Sequence, residues 1–254
     1  MRFFVIPQKN MKNKFISISI ILIAVFTSGC LRTYFPAVYE SSAAPMVFET
    51  NNSDSIRSKY VSADLTISKG SYKNESLYLL RGSYIIANTA DHINTNLKLF
   101  GYSGIYKVAG LGKYNGGKSL FGLGTDLGFN INFKINKFKV GIGLSAGFGA
   151  ELGGYYNFRK SANRENLIDS KIGLFYVSLT AFPIFAYEFS ESTILSAQIN
   201  IGFPGILSPS IVLNNNDQVY WLSYMPNYDS RDKSIGRRIV LGFMINLNKL
   251  KFAL

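Results

Sequence analysis

Residues 121–134 read FGLGTDLGFNINFK, and this stretch decides the fold. Every second residue belongs to a mainly apolar set, and the residues between them are glycine or polar. The first set is Phe121, Leu123, Thr125, Leu127, Phe129, Ile131 and Phe133. Successive side chains alternate between two faces only in a β-strand. The stretch therefore predicts a strand with one apolar face and one small, polar face.

The residues that follow repeat this pattern and complete a hairpin. Residues 138–152 again alternate apolar side chains with glycine, serine and charged residues, and a tight turn at 135–137 joins the two segments. Weaker or less regular alternation occurs at 61–68, 75–88, 93–109, 172–188, 193–201 and 238–247. The sequence thus predicts eight strands.

Strand length and connection length both favour a barrel that spans a membrane. Soluble strands usually have about 5 or 6 residues, whereas a tilted strand that crosses a bilayer needs about 9 to 11. The clearest alternations exceed this length. Short connections at 89–92, 135–137 and 189–192 should lie at one end, and longer ones at 110–118, 153–171 and 203–237 at the other. We therefore predict an all-β fold, an eight-stranded antiparallel transmembrane up-and-down β-barrel over residues 58–254.

Aromatic residues are expected to form two belts at the membrane interfaces. The sequence predicts an outer belt from Tyr155, Tyr156 and Phe158. The predicted inner belt contains Phe133, Phe138, Phe185, Tyr187 and Phe189.

The amino terminus has the organisation of a secretory signal. Residues 11–30 read MKNKFISISIILIAVFTSGC, a short basic region followed by an apolar run and small residues. We predict a signal peptide over residues 1–29, with Met11 as the expected start. Residues 30–57, rich in Ser, Asn and Ala, are predicted to be an acylated periplasmic tether.

Ser28 and Gly29 before Cys30 resemble the lipobox of bacterial lipoproteins. Together with the alternating segments, they make the chain similar to small eight-stranded outer-membrane barrel lipoproteins of Bacteroidota. This resemblance implies lipidation of Cys30, cleavage before it, and a lipid-anchored outer-membrane protein with periplasmic termini. The alternative is an ordinary cleaved signal, or an uncleaved anchor, with Cys30 as a bystander.

The composition excludes several kinds of site. Cys30 and His92 are the only cysteine and histidine, so cysteine-ligated metals and intramolecular disulfides are excluded. We predict no cofactor and no metal. His92 falls in a predicted periplasmic turn, so we predict no catalytic residues and no enzyme. The net charge of +12 comes from scattered basic residues, which favours outer-membrane lipids and lipopolysaccharide as partners over nucleic acid.

Two groups of residues are candidates for function. Six polar residues are predicted to face the lumen, either as a satisfied polar plug or as an ion path: Arg81, Lys98, Asp126, Gln198, Asn200 and Arg238. In the predicted loop 203–237, residues 210–213 and 218–222 should form a hairpin. This hairpin carries Tyr220, Trp221 and Tyr224, either as a binding surface or as rim aromatics.

These features favour a lipid-anchored barrel with a structural or interaction role, as an accessory subunit that binds another envelope protein. The alternative is a narrow channel or a lateral route for small or apolar solutes. A rim enzyme that acts on lipid A is a third hypothesis, and it would need a mechanism without histidine.

If Cys30 carries a lipid, cells grown with labelled palmitate will yield a labelled protein, and Cys30→Ser will abolish the label because only a thiol accepts the diacylglycerol. Gel autoradiography of the membrane-extracted protein measures this. An unlabelled wild-type protein would exclude the lipoprotein hypothesis.

Overall fold

The computed structural model describes residues 31–41, 44–46, 56–70, 72–90, 92–170, 173–203, 206–225 and 238–248. The chain divides into two compact units, Met1–Thr33 and Tyr34–Leu254. Of the first unit, only residues 31–33 are described, so Cys30 and the predicted signal peptide lie outside the described residues. Strand β1 (Arg32–Tyr34) contains the boundary between the units, and the features below belong to the second unit.

Ten strands close into an antiparallel barrel, in which the last strand pairs with the first. They follow one another around the wall in chain order, with β7 (Ile168–Ser170) outside it. The wall contains β2 (Ile56–Ser68), β3 (Ser76–Ala90), β4 (Ile93–Val108), β5 (Gly116–Ile135), β6 (Phe138–Leu152), β8 (Phe175–Ser190), β9 (Thr193–Phe203), β10 (Ile206–Asn215), β11 (Gln218–Met225) and β12 (Arg238–Asn246).

The prediction of an all-β antiparallel barrel is confirmed, but the predicted number of eight strands is wrong. The two additional strands, β10 and β11, form the hairpin that was assigned to a long loop. In β10, Ser208, Ser210 and Val212 are buried, and Pro209 and Ile211 point outward. Proline is unusual within a sheet because it removes a ladder hydrogen bond. The sequence of this run therefore does not predict a strand of the wall.

Among the described residues, helical structure occurs only in the connections and in the segment before the wall. Helix α1 (Gly154–Arg164) follows β6, and short 3-10 turns occur at Ala37–Glu40 and Gly112–Tyr114. In the part of the chain that the structure describes, no helix is long and apolar enough to cross a membrane.

The two ends of the barrel differ in their connections. At one end, here called the turn end, adjacent strands are joined by the residue pairs 91–92, 136–137, 191–192 and 216–217. Asn136 and Asn216 adopt φ of 57° and 56°, which asparagine tolerates in tight hairpins. The opposite end, here called the loop end, carries the longer connections, including 109–115 and 153–174. The exception is the short connection 204–205.

The apolar face of the wall points outward, as predicted. Leu123, Phe148 and Phe175 expose 68%, 60% and 73% of their surface, and the glycine and polar residues of the same strands face the lumen. A continuous exposed apolar belt of this kind is suited to lipid rather than to water.

Of the two predicted aromatic belts, only the residues of the inner one lie on the outer surface, at the turn end. There, Phe133, Phe138 and Phe189 are exposed on the outer surface. The predicted outer belt is wrong, because its residues lie on α1, where Tyr155 and Phe158 are buried in an aromatic cluster at the loop end.

Glycines on the inner face make room for large side chains from neighbouring strands. A Cβ atom at Gly122 would meet the ring of Tyr102, one at Gly149 would meet Tyr176, and one at Gly242 would meet the indole of Trp221. Without a Cβ in the way, these rings lie flat along the inner wall. These aromatic side chains therefore cover part of the glycine-rich inner face.

This arrangement predicts that Gly242→Ala will lower the free energy of unfolding by about 1–3 kcal/mol, because the added methyl group overlaps a fixed indole ring. Urea unfolding of the protein folded in lipid vesicles measures the change. Gly82→Ala is the matched control, since its Cβ would meet only the Ser62 carbonyl oxygen, at 3.9 Å. Equal stability of the two variants would contradict the packing described here.

Candidate functional site

We call residues 34–46 the luminal segment, of which the structure describes 34–41 and 44–46. Most of these described residues lie inside the barrel, whereas Phe35 is exposed. Tyr34, Ala37, Ser41 and Met46 are buried. The segment contacts inward-facing side chains of β2, β5, β6 and β9, which surround the barrel axis. Its position differs from the periplasmic tether that the sequence predicts over residues 30–57.

The first residue of the luminal segment is held at the loop end. Tyr34 Oη donates to Glu75 Oε1 at 2.6 Å, and Tyr106 Oη donates to the other carboxylate oxygen at 2.8 Å. The ring of Tyr34 packs against those of Tyr72 and Phe158, with centroids 5.2 Å away in both cases. A buried carboxylate thus orients two tyrosines within an aromatic pocket.

A second carboxylate links the segment to helix α1. Glu151 Oε1 accepts a hydrogen bond from Arg159 at 2.8 Å, and Glu151 Oε2 accepts one from the Ala37 amide at 2.6 Å. Both charged side chains are fully buried. Because an unpaired buried charge is costly, this ion pair fixes the helix, β6 and the segment together.

The loop end also carries an ion pair on its surface. Lys113 and Tyr114 donate hydrogen bonds to Glu165 Oε1, at 2.7 and 3.0 Å. These bonds, the one from Lys113 foremost, hold the pKa of Glu165 below its ordinary value. Because this pair is exposed to water and salt, it contributes little to stability compared with the buried pair.

The last residue of the luminal segment is bound on its main chain. Gln198 Nε2 donates to the Met46 carbonyl oxygen at 2.6 Å, and the Met46 amide donates to Gln198 Oε1 at 3.1 Å. The Met46 side chain joins an aliphatic and aromatic cluster and lies 3.2 Å from Asn130 Nδ2. The amide of Gln198 therefore pairs with a peptide group as a neighbouring strand would.

All six predicted lumen residues lie at inward-facing positions of the wall. Lys98 and Asp126 stand opposite each other on β4 and β5, and Ser178 Oγ donates to Asp126 at 2.5 Å. Arg81 binds Asp64 at 2.8 Å. Gln198 binds the luminal segment, and Asn200 and Arg238 follow the inward register of β9 and β12.

Among the described residues, five buried charged residues were not singled out from the sequence: Asp64, Glu75, Lys139, Glu151 and Arg159. Asp64 and Glu151 belong to the polar sets of their alternating stretches, which is a signal that could have identified them. Glu75 lies in a connection and Arg159 on a helix, and nothing in the local pattern marks either residue as buried.

The three aromatics of the predicted binding loop lie on strand β11 and do not share a face. Trp221 points into the lumen over Gly242 and is 3% exposed. Tyr220 and Tyr224 lie on the outer face. The outward tyrosines are therefore exposed on the side where the wall meets lipid.

His92 lies in a turn-end connection, exposed, with its ring 5.8 Å from that of Phe133. In the described ranges, no group of three or more His, Cys, Asp or Glu side chains is placed to hold a metal ion.

An apolar cavity of about 760 Å³ lies beside the luminal segment near the loop end, and we call it the lateral pocket. It combines residues of the segment with outward-facing residues of the wall. Its lining is Phe35, Pro36, Tyr39, Phe148, Ser170, Gly173, Phe175, Tyr176, Val177 and Phe203. Tyr39 Oη donates to the Val177 carbonyl oxygen at 2.5 Å, and the Tyr39 ring lies 5.8 Å from that of Phe203.

The lateral pocket lies where the wall is incomplete. Strand β9 ends at Phe203, which pairs with Leu179, whereas β8 begins four residues earlier, at Phe175. The described residues provide no partner from β9 for residues 175–178. The pairing of β8 with β9 is also interrupted around Pro183, between Ala181 and Ile184. A proline cannot donate to the ladder, so this seam has fewer ladder hydrogen bonds than the length of β8 would allow.

The sequence matches no protein-family model, and no curated protein is significantly similar to it. The solved structures to which the chain is similar include outer-membrane proteins and channels, with TM-scores below 0.5. An outer membrane channel from Pseudomonas putida F1 has a TM-score of 0.43 at 10% identity, with 81% of this chain and 100% of that chain covered. The outer membrane protein OprG from Pseudomonas aeruginosa has a TM-score of 0.35 at 11% identity, with 78% and 97% covered. A mutant of the monoaromatic hydrocarbon channel TodX has a TM-score of 0.37 at 10% identity, with 85% and 72% covered.

The buried ion pair predicts that Arg159→Met will lower the free energy of unfolding by about 3–5 kcal/mol, because Glu151 keeps its charge and loses its guanidinium partner. Vesicle-based urea unfolding measures the loss.

The double variant Glu151→Gln with Arg159→Met should recover most of this loss, because no charge stays buried and Gln can still accept the Ala37 amide. Lys113→Met, which removes the exposed pair, is the control and should leave stability unchanged. A double variant no better than Arg159→Met alone would show that the charges are not what couples these positions.

Proposed function

We propose that the protein is an outer-membrane barrel that provides a lateral route for small apolar solutes between the lipid bilayer and the barrel interior. The observation that carries this proposal is the lateral pocket, which joins outward-facing Phe148, Phe175 and Phe203 to Phe35 and Tyr39 of the luminal segment. A solute in the pocket would contact lipid-facing and luminal side chains at the same time.

The size and chemistry of the pocket favour small apolar solutes. A volume of about 760 Å³ lies in the range of about 300–1,000 Å³ that is usual for small-molecule sites. Six of its ten lining residues are aromatic. Such a lining offers an apolar molecule dispersion contacts and offers a charged one little compensation for lost water.

The filled lumen favours a lateral over an axial route. The luminal segment occupies the interior together with aromatic rings and two buried ion pairs, Arg81–Asp64 and Arg159–Glu151. A hydrophilic solute that moved along the axis would have to displace these groups. An apolar solute that enters through the lateral pocket contacts only side chains at the junction of β8 and β9.

The exposed apolar belt supports the outer-membrane location. The lipid on Cys30, the periplasmic termini, contact with lipopolysaccharide, and an accessory role beside another envelope protein remain predictions from the sequence. An accessory role and a lateral route are compatible, because a lateral opening could deliver a solute to a neighbouring protein in the membrane.

A bulky residue at the pocket should block this route. Whole cells that produce the wild-type protein are expected to take up a fluorescent apolar naphthylamine dye faster than cells without it. Val177→Trp should return uptake to the level of cells without the protein, because the indole would fill a cavity lined by Val177.

Val140→Trp is the matched control, since Val140 is also an outward-facing valine of the wall but lies near the turn end. Heat-modifiable gel migration would verify that both variants are folded at equal amounts. Uptake by the Val177→Trp cells equal to wild type would exclude the lateral pocket as the route.

A further inference from the structure

We infer that the lumen of this barrel is a binding site for a peptide that contains one 3-10 turn, occupied here by the chain's own luminal segment. The site would take a peptide of the same sequence, YFPAVYESSAAPM, supplied from outside the chain. This inference does not depend on the lateral route, because it concerns the groove that holds the segment.

The wall and its connections bind peptide groups of the segment as well as its side chains, as a peptide-binding site does. Wall and connection side chains bond to main-chain atoms of four segment residues. These are the carbonyl oxygens of Tyr34 (from Ser170, 2.8 Å) and Phe35 (from Tyr155, 3.1 Å), the Ala37 amide (to Glu151, 2.6 Å), and both peptide atoms of Met46 (with Gln198). Residues 35–46 take no described place in the barrel ladder. The segment is therefore held as a ligand is held rather than as a strand.

Two side-chain pockets fix the register of the peptide. Tyr34 occupies an aromatic pocket at the loop end, with the Glu75 carboxylate as the acceptor for its hydroxyl. Met46 occupies a second pocket, with Phe182, Ile184 and Ile194 among its neighbours. Between these two anchors Ala37, Val38, Ser41 and Ala44 are also buried, so the site should select for peptide length, for the end residues and for the buried residues between them.

The charged groups around the site find partners among the wall and its connections. Glu151 is neutralised by Arg159, and Arg81 by Asp64. If the segment dissociated, the groups that bind its peptide atoms would become exposed. The carboxylates of Glu151 and Asp64 would still be paired with Arg159 and Arg81. This favours exchange of one peptide for another over a segment fixed permanently in the core.

A cleavable form of the full-length protein tests the inference. A protease recognition sequence inserted between Asn51 and Asn52 would let the luminal segment be cut from the wall after folding in lipid vesicles. The amino-terminal fragment should stay bound after cleavage. An excess of fluorescently labelled YFPAVYESSAAPM should then replace it, as measured by the amount of label that co-migrates with the barrel.

Variants in the wall should change the exchange rate. Gln198→Ala removes both hydrogen bonds to Met46 and should speed release of the fragment roughly tenfold. Ser190→Ala is the control, because this exposed hydroxyl lies at the turn end of β8 and should leave the rate unchanged.

Three outcomes would overturn the inference. They are a fragment that leaves only when the barrel unfolds, a fragment lost from the wild-type barrel immediately on cleavage, and a labelled peptide of scrambled sequence that binds as well as the native one. Each of these results can be obtained whether or not the dye-uptake experiment supports the lateral route.

Discussion

Closure of the hydrogen-bond ladder is the constraint on which the other features depend. In a lipid environment every peptide group of the wall must find a partner, and a barrel meets this requirement only when its last strand, β12, pairs with its first, β2. Closure then fixes the two faces of every strand. Apolar side chains point to lipid, and the space inside must be filled by whatever the other face and the rest of the chain supply.

The lumen is filled in two ways. Inner-face glycines leave room for rings such as Tyr102 and Trp221, which cover the wall from inside. The remaining space holds the luminal segment, bound by Glu151 near the loop end and by Gln198 further toward the turn end. Where β9 is shorter than β8, the same segment reaches the outer surface through Phe35 and Tyr39, so the lateral pocket arises where the incomplete wall meets the filled lumen.

The sequence predicted what depends on local order and missed what depends on distant contacts. Period-two alternation identified the long strands and the direction of their faces, because neighbouring residues determine that pattern. It assigned the hairpin of β10 and β11 to a loop and not to the wall, because Pro209 interrupts a short run with serines on the inner face. It also missed the luminal segment, whose bonds reach residues 41, 114 and 152 positions away. Serine- and alanine-rich sequence resembles a tether until those partners are known.

The order of elements along the chain bears on how the barrel assembles. Residues 47–55 join the luminal segment directly to β2, and β2 forms the closing seam with β12, the last strand of the wall. The wall cannot close until the end of the chain is available. When β12 pairs with β2, the luminal segment is already attached to the amino end of β2. Sealing the cylinder and filling it can therefore occur as one late, concerted step, with no need to thread a free end through a finished pore.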